Sequence, residues 1–214
     1  MLRPKQNEAA DQIADQVVDP QTFHSQDFER IINEAIEFLE HSPLHILPIT
    51  EKFKWSGVYC LYYEGPFDLY SGYSFDNPRP IYIGKSVPPG WQKARAKVSK
   101  VNYQLFRRLN DHCKSIELAE NLNLDDFRCR YMILEPSLIS TVESAMINKH
   151  KSLWNCFLTG FGNHDQGRSR RGQKKPAWDH LHSGRVWSSL MNSDLDIEQV
   201  RREIIEFEGN LRNG

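Results

Sequence analysis

Apolar residues at 28, 31, 32, 35, 36 and 39 repeat with the three-and-four spacing of one helix face. That pattern predicts a helix over 27–40, with Asp27 as its cap. Residues 1–24 carry no such period and read as a flexible N-terminal arm. After the helix, HSPLHILP breaks the pattern and leads into a β-rich stretch. The segment GVYCLYY at 57–63 is aromatic and β-favouring, stops at Glu-Gly-Pro, and predicts a strand. PIYIG at 80–84 predicts the returning strand, with 64–79, rich in Gly, Pro, Asp and Asn, as a long hairpin loop. A Pro-Pro-Gly turn and a basic stretch over 91–101 (Lys93, Arg95, Lys97, Lys100) precede a helix over 102–117. Residues 127–134 alternate as a third strand does, and 138–151 form another helix. From 160 to 186 there is no regular period: glycines at 160, 162, 167, 172 and 184 alternate with Arg168, Arg170, Arg171, Lys174 and Lys175. Long loops of this kind usually carry function in a compact protein. A last helix, over 194–208, puts Ile197, Val200, Ile204 and Phe207 on one face.

Composition narrows the class. The 214 residues are 39% hydrophobic and 26% charged, as in ordinary soluble proteins. No apolar run reaches the roughly 20 residues of a membrane helix, and the polar, acidic N-terminus is unlike a secretory signal. The four cysteines (Cys60, Cys113, Cys129, Cys156) have no paired spacing. They fit a cytoplasmic protein in a reducing compartment and argue against a disulfide framework or a zinc ribbon. A net charge of −1 hides an asymmetry: 85–185 hold 18 Lys/Arg against 9 Asp/Glu, a net of +9, and the remainder nets −10. A basic middle between acidic ends is the footprint of a face that meets phosphate, although clustering on a solvated surface reads the same way.

Chemistry enters with a few residues in a fixed order. Tyr59 ends Gly57-Val58-Tyr59, Tyr82 opens Tyr82-Ile83-Gly84, and Lys85 follows directly. At about 100° per residue, His112 falls inside the apolar stripe of the 102–117 helix and Arg108 at its edge, four residues apart. An imidazole and a guanidinium turned toward a core cost desolvation energy unless something pairs with them. Glu143 and Asn155 follow on or just beyond the next helix. Each residue has an ordinary explanation as well. The tyrosines could be half-buried strand residues, and His112 a core histidine bonded to a backbone carbonyl. Arg108 could pair with Asp111 or Asp126, Glu143 could close a capping box with Ser140, and Asn155 could end a helix. His180-x-His182, with His164-Asp165 upstream, raises a zinc site; DNA contact or loop packing suits these residues better, since no cysteine has matching spacing.

Taken together, the two tripeptides and the ordered Lys85, Arg108, His112, Glu143 and Asn155 resemble the GIY-YIG nuclease family over about residues 50–160. The basic insertions and Leu153-Trp154-Asn155 resemble its type II restriction-endonuclease branch. The resemblance implies an α+β fold: a three-stranded antiparallel sheet flanked by helices, with long basic loop insertions and N- and C-terminal helices, in one domain over 25–214. It also implies hydrolysis of double-stranded DNA. Tyr59 would act as general base or water-orienting group with His112 as proton acceptor, and Tyr82 and Arg108 would contact the scissile phosphate. Glu143 would bind one Mg²⁺, and Asn155 would support the arrangement. Lys85, Lys93, Arg95, Arg168, Arg170, Arg171, Lys174 and Lys175 are the DNA-contact candidates. The resemblance further implies a palindromic site, GC-rich and CCGCGG-like, and with it a homodimer, because two-fold DNA symmetry asks for two-fold protein symmetry. The alternatives are a repair or mobile-element nuclease on the same core and a non-catalytic DNA-binding module.

Overall fold

The structure is a computed structural model that describes residues 25–76, 79–91, 102–163 and 174–213. The expected arm at 1–24 lies outside them, as do Lys93, Arg95, Lys97, Lys100, His164, Asp165, Arg168, Arg170 and Arg171.

The chain runs α1 (Gln26–His41), β1 (His45–Ile46), β2 (Gly57–Tyr63), β3 (Tyr82–Ser86), α2 (Gln104–Leu118), β4 (Phe127–Ile133) and α3 (Pro136–His150). Four further helices follow: α4 (Leu153–Cys156), α5 (Ala177–Leu181), α6 (Val186–Ser189) and α7 (Ile197–Asn213). The fold is α+β, and every strand pairing in the sheet is antiparallel. The expected count of three strands is one short, because the order is β1-β4-β2-β3. The extra strand is the two-residue β1, inside the segment read from sequence only as a helix breaker. Two residues are too few to show a period, so only their pairing with Cys129 and Arg128 defines them.

β2 is the centre of the molecule. All seven of its residues are buried, since helices cover both faces of the sheet. Its side chains alternate between two cores. Tyr59, Leu61 and Tyr63 join α2, α4, α5 and α7, whereas Val58, Cys60 and Tyr62 join α1 and α3. On α2 the predicted stripe is realised: Leu105, Leu109, His112, Cys113 and Ile116 are buried. Among the ends, α1 is capped by Ser25, which accepts from the Phe28 amide. Asp27, the expected cap, instead sits in the first turn and pairs with Arg30.

Two regions read as loops hold more structure than expected. The 64–79 connection contains a 3-10 turn at Asp68–Tyr70 and sends Tyr70 and Tyr73 into the core. Arg79 in that connection joins Tyr73 and Glu208, tying it to α7. The 160–186 stretch includes α5 and the start of α6, with Trp178 fully buried. Neither region repeats with a helix or strand period, yet aromatic side chains anchor both.

Candidate active site

The glycines of the two tripeptides are the residues that let the site close. A Cβ on Gly57 would collide with the Met132 carbonyl of β4, and one on Gly84 would collide with the Tyr59 hydroxyl. Gly84 is the cross-strand partner of Tyr59, so the phenol of β2 crosses over a residue with no side chain. Its hydroxyl then meets His112 of α2, with Oη 2.5 Å from Nε2. His112 is 1% exposed, and its ring stacks on Phe161 with centroids 4.6 Å apart. Tyr82 lies on the same side of the sheet, its ring centroid 5.2 Å from that of His112 and 6.2 Å from that of Tyr59.

Arg108, one turn before His112 on α2, brings a positive charge to both phenols. Its Nη2 donates to the Gly162 carbonyl at 2.8 Å. A Cβ on Gly162 would sit 2.6 Å from Tyr82 Oη and 3.2 Å from Arg108 Nη2, which shows how closely that turn covers the pair. Burial raises the Tyr59 pKa well above its ordinary value, with Tyr82 adding to the rise and Arg108 opposing it. Tyr82 is raised for the same first reason; Arg108 again opposes, and Glu143 adds to the rise. Burial lowers the Arg108 pKa, but the two phenols outweigh it and the net shift is upward. The Arg108 cation thus lowers the Tyr59 pKa, but by less than burial raises it. Desolvation wins in this fully buried position, and the tyrosine is a neutral phenol.

The other half of the site lies across the edge strand. Lys85 is the partner of Val58, and so faces α3 rather than α2. Its Nζ is 2.6 Å from a Glu143 carboxylate oxygen. The capping-box alternative for Glu143 fails, because α3 begins at Pro136 and both Ser140 and Glu143 lie in its interior. Charged and phenolic groups thus reach β3 from both faces. Beside the end of β3 a cleft of about 330 Å³ opens, lined by Lys85, Ser86, Val87, Gln104, Arg107, Arg108 and Asp111.

Asn155 does not face this cleft. Its Oδ1 accepts from the Ile83 amide at 2.7 Å, and its Nδ2 donates to the Ile83 carbonyl at 2.8 Å. Trp154 adds a backbone bond from its amide to the Ile81 carbonyl at 3.0 Å. The outer edge of β3 is thereby paired by α4 rather than left open. Ile83 is held straight between Tyr82 and Gly84. The helix-ending alternative does not apply: Lys151, with a left-handed φ of 47°, ends α3.

Of the other expected contacts, Lys174 is on the surface and pairs with Asp194 at 2.6 Å. Lys175 donates its backbone amide to the Asn192 carbonyl at 2.8 Å. Three cations of the basic middle are spent on the fold. Arg185 is buried with Asp179, Arg130 donates to the Glu40 carbonyl, and Arg128 lies over the Phe75 ring. The His180-x-His182 pair serves packing. His182 is buried between Tyr70 and Asn121, and His180 lies 3.3 Å from Ser193 Oγ. Among the described residues no three His, Cys, Asp or Glu side chains cluster as metal ligands do.

Gln104, Arg107 and Asp111 were missed from sequence. With Arg108 they occupy the i, i+3, i+4 and i+7 positions of one helix face, a spacing that would have grouped them. The Gly160–Asn163 turn and Arg185 carried no comparable signal.

Residues 51–208 match the family model described as the Eco29kI GIY-YIG domain. The match extends past the 50–160 stretch that carried the resemblance and takes in α5, α6 and most of α7. No curated protein matches the chain.

Proposed function

The chain belongs to the Eco29kI GIY-YIG domain family of restriction endonucleases, and from that membership we propose that it is a Mg²⁺-dependent type II enzyme cutting duplex DNA at a short palindrome. The observation that carries the reading is the meeting of Tyr59, Tyr82, Arg108 and His112 on one face of β2 and β3, with Lys85 and Glu143 at the same edge strand. Cleavage requires a base for the attacking water, positive charge for the pentavalent phosphate and help for the leaving oxygen.

Tyr59 and His112 form the base. A phenol raised by burial is a poor base by itself. The 2.5 Å bond supplies a path on which the Tyr59 proton passes to His112 Nε2 while Tyr59 accepts one from water. Arg108 favours that transfer, since it is the nearby charge that stabilises a phenolate. Arg108 and the Tyr82 hydroxyl then bind the non-bridging oxygens of the scissile phosphate, and Lys85 neutralises phosphate at the cleft. Tyr59 is fully buried in the free protein. DNA binding therefore has to open a path between it and the cleft.

Glu143 suits Mg²⁺ as a lone carboxylate beside a cleft, because that ion keeps several of its waters and needs only one or two carboxylates. When bound, the ion supplies charge stabilisation at the leaving 3′ oxygen. Lys85 holds the same carboxylate in the free protein and would have to release it for Glu143 to hold the ion. The resemblance to the restriction branch implies a GC-rich, CCGCGG-like site, at which loop arginines would pair bidentately with guanine. A palindrome calls for two copies of the chain related by two-fold symmetry.

Glu143→Ala tests the reading. Plasmid incubated with this variant and Mg²⁺ is expected to remain uncut while DNA binding and thermal stability persist. Discrete fragments from Glu143→Ala would remove Glu143 from the chemistry. Nonspecific nicking by the unaltered chain would point to the repair-type alternative, and a shifted band without cutting would point to a binding module.

A further inference from the structure

Two arginines divide one turn between them. The Gly160–Asn163 turn is closed by the Asn163 amide donating to the Gly160 carbonyl at 3.0 Å. Gly160 has φ +113°, and a Cβ there would strike Pro176, so the bend depends on glycine. The carbonyls of Gly160, Phe161 and Asn163 accept from Arg185, at 3.1, 3.0 and 3.3 Å. The remaining carbonyl of the turn, that of Gly162, accepts from Arg108.

Arg185 itself is 2% exposed. Besides the three carbonyls, its Nε donates to Asp179 Oδ1 at 2.6 Å and its Nη2 to Asp179 Oδ2. All five guanidinium N–H groups are therefore used. Trp178 and Trp187 lie against the guanidinium, their ring centroids 4.4 and 4.8 Å from Cζ. A buried ion pair is about neutral in stability against a well-packed apolar replacement. What a fully satisfied guanidinium fork adds is a fixed geometry, which the three rotatable donors of a lysine do not reproduce.

We propose that Arg185, oriented by Asp179, is a positioning residue for cleavage: it fixes the Gly160–Asn163 turn so that the Gly162 carbonyl holds the Arg108 guanidinium against Tyr59 and Tyr82. The inference rests on the reading of Arg108 as the phosphate-binding cation. Arg185 touches neither phenol. Its effect travels through the turn, and displacement of a reacting group by about an ångström can cost on the order of 100-fold in rate.

A double-mutant cycle on the full chain tests this. Single-turnover cleavage of a plasmid carrying the recognition site and DNA affinity are measured for the unaltered chain, Arg185→Lys, Arg108→Ala and the double variant. Arg185→Lys is expected to slow cleavage about 10–100-fold with affinity changed less than about 3-fold. In the Arg108→Ala background it should add less than about 3-fold, because the residue it positions is gone. Equal slowing in both backgrounds, or no slowing at all, overturns the proposal. Normal cleavage by Arg108→Ala would instead overturn the reading of the site, a separate failure. Should Arg185→Lys not fold, Asp179→Asn enters the same cycle and must show the same dependence on Arg108.

Discussion

The molecule builds the same hydrogen bond twice in different surroundings. Tyr59 meets His112, and Tyr70 meets His182, each with Oη 2.5 Å from Nε2. Both tyrosines are fully buried, and burial raises both pKa values well above the ordinary one. The other hydrogen-bond partners around Tyr70 are neutral, and the nearby Glu208 carboxylate adds to the rise of its pKa. Trp154 Nε1 donates to its hydroxyl at 2.9 Å, and His182 Nδ1 lies 2.8 Å from Asn121 Oδ1. Because the Asn121 amide nitrogen donates to the Leu181 carbonyl, Oδ1 is the acceptor, and His182 carries its proton on Nδ1. That leaves Nε2 to accept from Tyr70, a fully satisfied structural chain. Around Tyr59 stand Arg108 and a second tyrosine, and Arg108 also lines the cleft. A short tyrosine–histidine bond is therefore no sign of catalysis alone. Arg108, which opposes the rise of the Tyr59 pKa and lines the cleft, separates the two surroundings.

The largest expected contrast comes from removing each hydroxyl. Tyr59→Phe should lower the single-turnover cleavage rate by about 10²–10⁴ with DNA affinity unchanged. Tyr70→Phe should cut at nearly the normal rate and lose about 1–3 kcal/mol of stability, since Trp154 and His182 lose a buried partner. Parallel rate and melting measurements on both variants decide it; similar rate losses would dissolve the distinction.

A smaller effect sharpens the structural half. Burial, with Arg185 next, lowers the His182 pKa to about 3. Its folded value lies below the unfolded one of about 6.5, so its stabilising contribution is complete above that pH. It is lost as pH falls from about 6.5 toward 3, with a slope of up to about 1.4 kcal/mol per pH unit. Denaturant titrations from neutral to acid pH should show that slope in the unaltered chain and a shallower one in His182→Gln. An unchanged slope in the variant would assign the acid sensitivity elsewhere.

The smallest effect concerns two cations of one basic stretch. Arg185 is buried and fully paired, whereas Lys174 meets Asp194 in solvent. Lys174→Ala should leave the melting temperature unchanged, because exposed ion pairs contribute little. If Lys174 grips phosphate, the salt dependence of DNA affinity should fall by about one unit of slope, equally for specific and nonspecific DNA. An unaltered slope would take Lys174 off the interface.

Much of the site could be read along the chain. Arg108 and His112 were legible because helix periods are local and the apolar stripe of α2 already contained the histidine, whereas Tyr59 and Tyr82 stood out only through the family resemblance of their tripeptides. The pairing of Lys85 with Glu143 was not legible, since the two residues belong to elements with no sequence relation. Arg185 did not stand out, for a related reason. It sits among basic loop residues, and composition cannot tell a cation facing phosphate from one buried against Asp179. The 64–79 and 160–186 stretches read as loops because aperiodic backbone looks alike whether it is solvated or anchored by Tyr70, Phe161 and Trp178.

The chain alone determined the order of the main strands and helices and the faces that α1, α2 and α7 bury. These follow from hydrophobic periods that span a few neighbours. Only the tertiary structure decided that Asn155 grips Ile83 from 72 residues away, that Arg108 stands beside one of two buried tyrosine–histidine pairs, and that a glycine turn lies between two arginines. Those outcomes depend on where burial, charge and open space fall around each group, and distant segments set all three.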